Sequence, residues 1–392
     1  MKKLHLISAM YSSKGHGREY IRNMCCRLED FYSITLHIAS DKILETPEGI
    51  ETNYLKIDYS KTDANNFVKF SIFAPYIRAI TKQYFSFCYY KKILKSELIR
   101  EGDLVYIMDY DVIPLVFLIK GLKRKKTSKV FLWIHSAKFK SRDIIYSIYK
   151  SIFKVIFNHI VFSNITAIVV NGKYIKTEIL KNLKISQERI HIIQYPSEIL
   201  FKKIPKDIAR ERLNLNKKDK IILFFGMLRK DKNIELLIKS VSEASILPKL
   251  IIAGSEASVT RLEIENWIEK YNLENYILDI DYISEEKMSL YYSCSDLLML
   301  TYELESGSQS GPLSLAREFE LPSLVSNVGE IGKYVEENNV GLTADPNIEA
   351  DFTKKINIIL DNDFTLKDSL RSAKEKYSWE SASLKYRNLF DG

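Results

Sequence analysis

The feature that most constrains the fold is an alternation of short apolar runs with longer segments of helical period, and this alternation occurs twice. Alternation of this kind predicts a parallel sheet covered by helices on both faces. Between the two series, residues 195–216 are polar, carry Pro196 and Pro205, and are interpreted as a linker. The predicted strands lie at residues 4–9, 33–39, 104–108, 130–134 and 167–170, and then at 221–225, 249–253, 276–280, 297–300 and 323–326.

Composition is that of a folded α/β protein. The 392 residues are 46% hydrophobic and 28% charged, which is enough for two domains that each bury a core. The four cysteines show no CxxC pair and no zinc-ligand spacing, so we expect reduced thiols and a cytoplasmic protein. We find no signal-peptide core and no uninterrupted apolar stretch of the ~18–20 residues that a membrane span needs.

Charge is distributed unevenly along the chain. Residues 1–200 contain 32 Lys and Arg against 18 Asp and Glu, and are strongly basic. Residues 201–392 contain the remaining 26 Lys and Arg against 32 Asp and Glu, and are acidic. A basic half favours an anionic partner. No nucleic-acid recognition motif accompanies it, so we expect no nucleic acid and favour an anionic membrane surface.

Two segments of the basic half have the pattern of interfacial helices. Residues 67–100 mix aromatic side chains with Lys and Arg, and residues 138–162 repeat isoleucine at helical spacing beside Lys150 and Lys154. Such helices can lie in a membrane interface. Ordinary core-facing helices with solvated lysines would show the same pattern.

A glycine and two cations follow the first strand of the second half, in the sequence Gly226-Met227-Leu228-Arg229-Lys230-Asp231-Lys232. A glycine at a strand end lets the backbone approach a ligand closely. Arg229 and Lys232 are suited to a diphosphate leaving group, whose negative charge grows during transfer. A solvated basic turn remains the alternative.

A second loop, which runs from Tyr302 to Pro312, ends at a predicted helix. Proline suits the first turn of a helix, so Ser310 and Gly311 should lie at the helix N-terminus, where free amides favour phosphate. A plain Ser/Gly helix start is the alternative. Two loops suited to phosphate at the strand ends of one domain are less easily explained by chance than either alone.

These motifs resemble the nucleotide-sugar-binding domain of the family-4 class of retaining glycosyltransferases. The resemblance covers residues 215–392 and is loose before them. It implies a GT-B fold, two doubly wound parallel-sheet domains facing across a cleft. The similar elements are Gly226, Arg229 and Lys232, the run 250–254, Ser295-Asp296, Tyr302, Ser310-Gly311, Pro322, Val328-Gly329, Gly341, and 377–379 with Tyr386.

The resemblance also implies a separate role for each of three parts of the chain. Residues 1–198 would bind the acceptor and face the membrane, residues 199–375 would bind the nucleotide sugar, and residues 376–392 would form a closing helix that crosses back to the first domain. The family usually carries two glutamates where this chain has Gly307 and Leu315. This loop resembles a variant with a Tyr…Ser-Gly pattern, and Glu303 and Glu305 are the nearest carboxylates that could replace the missing pair.

The first domain offers weaker signals. A glycine-containing loop with Gly15 and Gly17 follows the first strand and resembles the family's phosphate-approaching loop, without the GxGxxG spacing. His135 stands where related enzymes place a histidine facing the cleft, and a structural histidine is the alternative. Asp109-Tyr110-Asp111 spells DxD, but GT-B enzymes generally use no metal, so we expect no metal and no cofactor.

The sequence thus predicts a retaining glycosyltransferase. Arg229, Lys232 and His135 would act in catalysis, with a nucleotide-diphosphate sugar as donor and a lipid-linked glycan of bacterial surface polysaccharide as acceptor. The protein would be peripheral at the inner face of the cell membrane. A GT-B epimerase, a sugar phosphorylase or an inactive GT-B partner subunit remain alternatives. The remaining predicted donor contacts are Gly15, Gly17, Gly226, Tyr302, Glu303, Glu305, Ser310 and Gly311.

Overall fold

The computed structural model describes most of the chain, which folds as two units with separate sheets. The first unit comprises Met1–Asn171, Lys176–Gln194 and Trp379–Gly392, and the second comprises Gly172–Ile175 and Tyr195–Ser378. The described residues are 1–8, 16–40, 44–55, 74–135, 151–196, 203–304, 310–361 and 366–392.

Over the described residues, the first unit holds a parallel sheet of seven strands, in the order β3-β2-β1-β4-β5-β6-β7. Leu4 of β1 stands beside Ile34 of β2 and Leu104 of β4, and β1 is buried from Leu4 to Ser8, so the centre of the sheet is covered on both faces. The strands are β1 (Lys2–Ser8), β2 (Tyr32–Ala39), β3 (Glu51–Leu55), β4 (Leu104–Ile107), β5 (Lys129–Ile134), β6 (Ala167–Val170) and β7 (Ile190–Ile192).

The second unit repeats the plan with six parallel strands among its described residues, in the order β10-β9-β8-β11-β12-β13. The chain adds β9 and β10 on one side of β8 and β11, β12 and β13 on the other, so the strand order reverses between β8 and β11. In open α/β sheets, ligands bind at such a point, at the carboxyl ends of the strands. The strands are β8 (Ile221–Phe225), β9 (Lys249–Ala253), β10 (Tyr276–Asp279), β11 (Leu297–Leu300), β12 (Ser323–Ser326) and β13 (Gly341–Ala344). The predicted alternation of strands and helices is confirmed in both units.

Helices connect the strands in both units. Residues 151–156 are also helical and lead into a π-helical turn, Phe157–Val161. The longer helices are α1 (His16–Leu28), α2 (Ala74–Lys95), α3 (Val112–Arg124), α4 (Lys173–Asn182), α5 (Lys206–Arg212), α6 (Ile234–Ser242), α7 (Arg261–Lys270), α8 (Glu285–Cys294), α9 (Gly311–Phe319), α10 (Gly329–Asn338), α11 (Glu349–Leu360), α12 (Lys367–Lys376) and α13 (Trp379–Asp391).

The final helix, α13, belongs to the core of the first unit. The side chains of Tyr386 and Phe390 are fully buried. Their rings lie 5.7 Å from the ring of Tyr106, and the Phe390 ring lies 5.0 Å from that of Phe131. The last residues of the sequence therefore cover the sheet formed by the first.

One prediction about the linker is wrong. The stretch 195–216 contains helix α5, and the helix is anchored by the buried guanidinium of Arg210. That group donates to the carbonyl of Cys294 (3.0 Å) and to the carboxylate of Asp296 (2.8 Å). The helix has only two turns and is anchored by a charge, so it leaves no apolar period in the sequence.

A helix that crosses a bilayer must be both long and apolar. In the part of the chain that the structure describes, no helix meets these two requirements.

Candidate functional site

The turn after β8 brings two backbones into close contact. Gly226 has a φ of +105°, and its amide donates to the carbonyl of Ala253 (2.9 Å) at the end of β9. A Cβ on Gly254 would lie 2.3 Å from the Gly226 carbonyl oxygen, so the two turns can approach only because residue 254 is glycine, while the positive φ of residue 226 favours glycine there.

Lys232 occupies the space beside this glycine. Its side chain is buried, at 5% exposure, and its ammonium would lie 3.0 Å from a Cβ on Gly226. The ammonium lies 5.2 Å from the centre of the Phe224 ring. Within the described residues it has neither a hydrogen-bond acceptor nor a salt-bridge partner. Burial and the nearby charge of Arg229 lower the Lys232 pKa to about 8.

Arg229 begins the 3-10 turn Lys230–Lys232 and is half-exposed. Its Nε donates to Asp231 Oδ1 (2.9 Å) and its Nη2 donates to Asp231 Oδ2 (2.8 Å). This bidentate pair raises the pKa of Arg229. Asp231 was not among the residues predicted for the site, although its position two residues after the arginine is plain in the sequence.

The end of β11 holds this turn in place. The Thr301 hydroxyl lies 2.9 Å from the carbonyl oxygens of both Lys232 and Asn233 and shares its one proton between them. The backbone amide of Glu303 donates to the Asp231 carbonyl (3.0 Å), and the Glu303 side chain is exposed. The cation turn is thus fixed to the residues after β11 by two donors.

Helix α9 begins next to the same strand end. Ser310 is its N-cap residue, Gly311 is its first residue, and Pro312 follows in the first turn, as predicted from the sequence. The buried Tyr302 hydroxyl lies 2.9 Å from Ser310 Oγ. Burial raises the pKa of Tyr302 to about 12, so its hydroxyl stays neutral. Pro312 Cγ would lie 3.4 Å from a Cβ on Gly226, which places the helix start against the cation turn.

One side of the second sheet therefore gathers two cations, a neutral tyrosine hydroxyl and a helix N-terminus. Backbone amides and the positive end of the helix dipole favour an anion at this point. A buried ammonium with no counter-group is costly unless an anion arrives. The arrangement is suited to binding a phosphate or diphosphate.

The other predicted site residues lie in the first unit or outside the description. His135 follows β5, its ring lies 3.7 Å from that of Trp133 at a tilt of 37°, and its Nε2 lies 2.8 Å from the carbonyl of Met108. Since that carbonyl only accepts, Nε2 carries the proton and Nδ1 is an acceptor in the neutral ring. Gly17 lies in the first turn of α1. Gly15 and Glu305 lie outside the described residues.

The DxD carboxylates both have protein partners. Ser8 Oγ donates to Asp109 (2.6 Å), and Asp111 precedes α3 and accepts hydrogen bonds from Ser86 and Gln83 and pairs with Lys82. Among the described residues, we find no group of three or more His, Cys, Asp or Glu side chains that could hold a metal ion.

Comparison with known proteins gives the site a context. Residues 205–378 match the model of the family described as Glycosyl transferases group 1. A curated relative, an uncharacterized glycosyltransferase of Methanocaldococcus jannaschii, is 24% identical over 232 residues. That match covers 58% of this chain and only 60% of the relative's length.

Solved structures match the whole chain. A sucrose-phosphate synthase from Thermosynechococcus elongatus superimposes with a TM-score of 0.75 at 17% identity, and Anabaena HepE in complex with UDP superimposes with 0.72 at 13%. Staphylococcus aureus TarM, in complex with UDP among other ligands, gives 0.68 at 13%. In each case the match covers 100% of both chains. The chain therefore has the GT-B fold, and residues 205–378 of its second unit are similar to the domain of group 1 glycosyltransferases.

Proposed function

We propose that this protein is a glycosyltransferase that takes a sugar from a nucleotide-diphosphate donor. The observation that carries the proposal is the buried ammonium of Lys232, which has no acceptor among the described residues and lies beside the turn at Gly226. A donor diphosphate would supply the missing negative charge. The UDP complexes of HepE and TarM support the choice of a nucleotide.

Each residue at this edge has a role in the transfer. Lys232 and Arg229 neutralise the charge that develops on the diphosphate as the bond to the sugar breaks. The amides at the start of α9, with Ser310 and Gly311, hold a phosphate oxygen. Tyr302 fixes Ser310, and Glu303 is a candidate for contacts with the sugar or ribose.

We propose further that the transfer retains the anomeric configuration and needs no metal. The departing phosphate would take the proton of the attacking hydroxyl, which agrees with the two cations, Arg229 and Lys232, beside the start of α9. His135 would contact the donor sugar or the acceptor through Nδ1. Nuclear magnetic resonance of the first product formed distinguishes retention from inversion, and retained activity in EDTA tests metal independence.

The acceptor would be a lipid-linked glycan at the inner face of the cell membrane, in surface polysaccharide synthesis. An exposed apolar stripe on the first unit supports this part of the proposal. Ile80, Tyr84 and Phe87 follow one face of α2, and Phe87 contacts Phe117 of α3 at 4.7 Å between ring centres, next to the exposed Ile113. Lys82, Lys91 and Lys92 lie on the same helix α2.

A donor screen tests the central proposal. The protein is mixed with UDP-, GDP-, ADP- and CMP-sugars, and the melting temperature is followed. A donor at about 100 times its Kd stabilises the native state by about 2.7 kcal/mol. Mass spectrometry of the product with a glycan acceptor then shows the transfer, and the absence of a shift with every nucleotide sugar would contradict the proposal.

Vesicle binding tests the membrane part separately. Ile80→Ser combined with Tyr84→Ser should reduce binding to anionic vesicles, because apolar side chains and lysines act together at such a surface. Leu262→Ser, which changes an equally exposed leucine of the second unit, is the matched control. Equal binding of all three proteins would remove the stripe from the proposal.

A further inference from the structure

We propose that Asp231 is a positioning residue of the diphosphate site, which holds Arg229 in place and offsets the repulsion between Arg229 and Lys232. This inference deepens the proposed function and rests on it. A carboxylate within an anion-binding site weakens the attraction for the ligand, so its presence there requires a reason. The geometry of the turn supplies one.

The first step is the orientation of the arginine. Asp231 engages Nε and Nη2 of Arg229 together, at 2.9 and 2.8 Å. This side-on pairing fixes the plane of the guanidinium and leaves Nη1 outside it. Among the described residues, Asp231 is the one acceptor that the Arg229 side chain contacts. A guanidinium held in plane before the ligand arrives loses less conformational freedom on binding.

The second step is the attachment of the turn. The Asp231 carbonyl accepts the amide proton of Glu303 (3.0 Å), at the end of β11. The preceding residue on that strand end is Tyr302, whose hydroxyl contacts Ser310. Asp231 thus contacts Arg229 through its carboxylate and Glu303 through its carbonyl. Through the neighbouring Tyr302, this links the turn that carries the two cations to the start of α9.

The third step is the balance of charge around Lys232. The ionisable groups that face its ammonium are Arg229 and Asp231 from its own turn, and Tyr302 from β11 lies close to both of these. Arg229 lowers the pKa of Lys232 and Asp231 raises it, while Tyr302 is neutral. Without the Asp231 charge, the buried ammonium would lose its proton at a lower pH.

The experiment compares Asp231→Asn with Asp207→Asn, which removes the same charge from an exposed residue of α5 in the same unit. Titration of lysine labelled with ¹³C at Cε, in the ligand-free full chain, reports Lys232; its signal is identified by its loss in Lys232→Met. In Asp231→Asn we expect the midpoint to fall by about one pH unit, the effect of losing one nearby opposite charge. Asp207→Asn should leave it unchanged.

Binding of inorganic pyrophosphate, measured by calorimetry, gives the second readout. In Asp231→Asn, the affinity lost between pH 6.5 and pH 8.5 should grow by about sixfold over the wild-type loss, since the protonated fraction falls about fourfold over this interval with a midpoint of about 8 and about 25-fold with a midpoint of about 7. Asp231→Glu should restore the Lys232 titration, because it restores the charge. At pH 6.5, where Lys232 keeps most of its proton, Asp231→Asn combined with Arg229→Ala should bind no more weakly than Arg229→Ala alone.

The outcomes separate the two proposals. An unchanged Lys232 midpoint in Asp231→Asn, or an equal change in Asp207→Asn, overturns the role of Asp231 even where pyrophosphate binds. Additive losses in the double variant overturn it as well. Failure of the wild-type protein to bind pyrophosphate at any pH contradicts the proposed function, and the ligand-free titration then decides the role of Asp231 alone.

Discussion

Each unit contains a cluster of buried ionisable groups. The buried histidines of the first unit have hydrogen-bond partners, whereas the buried lysine of the second has none among the described residues. In the first unit, His5 Nε2 lies 3.0 Å from Asp103, His5 Nδ1 lies 3.0 Å from His37 Nε2, and His37 Nδ1 lies 3.1 Å from the side-chain amide of Asn53. In the second unit, Lys232 has no acceptor among the described residues.

The proton positions in the first cluster follow from chemistry. The ionised Asp103 carboxylate only accepts, so His5 Nε2 carries a proton and His5 Nδ1 accepts one from His37. His37 Nδ1 then accepts from Asn53. All these donors are matched with both rings neutral, and burial lowers the pKa of His5 and lowers that of His37 to about 3. Burial of a titratable group is therefore not by itself a sign of a binding site, and the proposed site rests on a buried charge, Lys232, that lacks a counter-group among the described residues.

The largest effect is expected at Lys232, the buried cation without an acceptor among the described residues. Lys232→Met should reduce kcat/KM by about 10²–10³-fold, or about 2.7–4 kcal/mol, because one charge contact to the developing negative charge is lost. The free energy of unfolding should stay equal or rise, since the variant removes a buried charge that has no partner. Turnover is measured with the donor found in the screen, and stability by urea denaturation.

Lys239→Met is the matched control, because Lys239 lies on α6 and pairs with Glu349 at the surface. It should leave turnover unchanged. A Lys232→Met protein that unfolds much more easily than wild type would show that Lys232 serves the fold and not the ligand.

The histidine cluster of the first unit should respond in the opposite way, with a loss of stability and no change in ligand binding. Asp103→Ala leaves the His5 Nε2 proton and the Arg100 amide without their acceptor, so the free energy of unfolding should fall by about 1–3 kcal/mol. Pyrophosphate affinity should not change. Asp30→Ala, an exposed change in the same unit, is the control for urea denaturation. A stability equal to that of Asp30→Ala would mean that the histidine network contributes nothing.

The smallest expected effect is a loss of folding stability in mild acid, caused by the two buried histidines of the first unit. Unfolded histidines titrate near pH 6.5, whereas His5 and His37 stay neutral to lower pH in the folded protein, so the unfolded state takes up more protons as the pH falls. Stability is therefore full above about pH 6.5 and declines below it, by up to about 1.4 kcal/mol per histidine and pH unit. The decline continues until the folded pKa is reached.

The measurement compares urea midpoints at pH 6.5 and 5.5 in wild type and in His5→Asn combined with His37→Asn. The wild-type protein should lose more stability over this interval than the double variant. Equal losses in both proteins would show that carboxylates elsewhere cause the acid dependence.

Much of the second unit could be predicted because its signals are local. The strand ends at Gly226 and Tyr302 and the helix start at Ser310 are each specified by neighbouring residues. The burial of Lys232 could not be predicted, because its pocket is formed by Phe224, Gly226 and Pro312, which come together only in the folded sheet. A charged side chain in a polar turn is otherwise expected in solvent.

The first unit shows a different limit. The short edge strands β3 and β7 were missed, since runs of only five and three residues are too short to show a period. His5 and His37 lie in strands that were predicted, but their pairing depends on the register of β1 and β2, which the sequence alone does not specify.

The place of α13 in the first unit has a consequence for protein synthesis. The residues that fill the gap over Tyr106 and Phe131 are Tyr386 and Phe390, and the ribosome adds them after the whole of the second unit. The second unit has all but its first four residues, Gly172–Ile175, in one continuous stretch and can fold as it emerges. The first unit, although translated first, must wait with an uncovered apolar face until the final helix is released. A nascent chain that stalls before residue 379 would expose that face to chaperones and proteases.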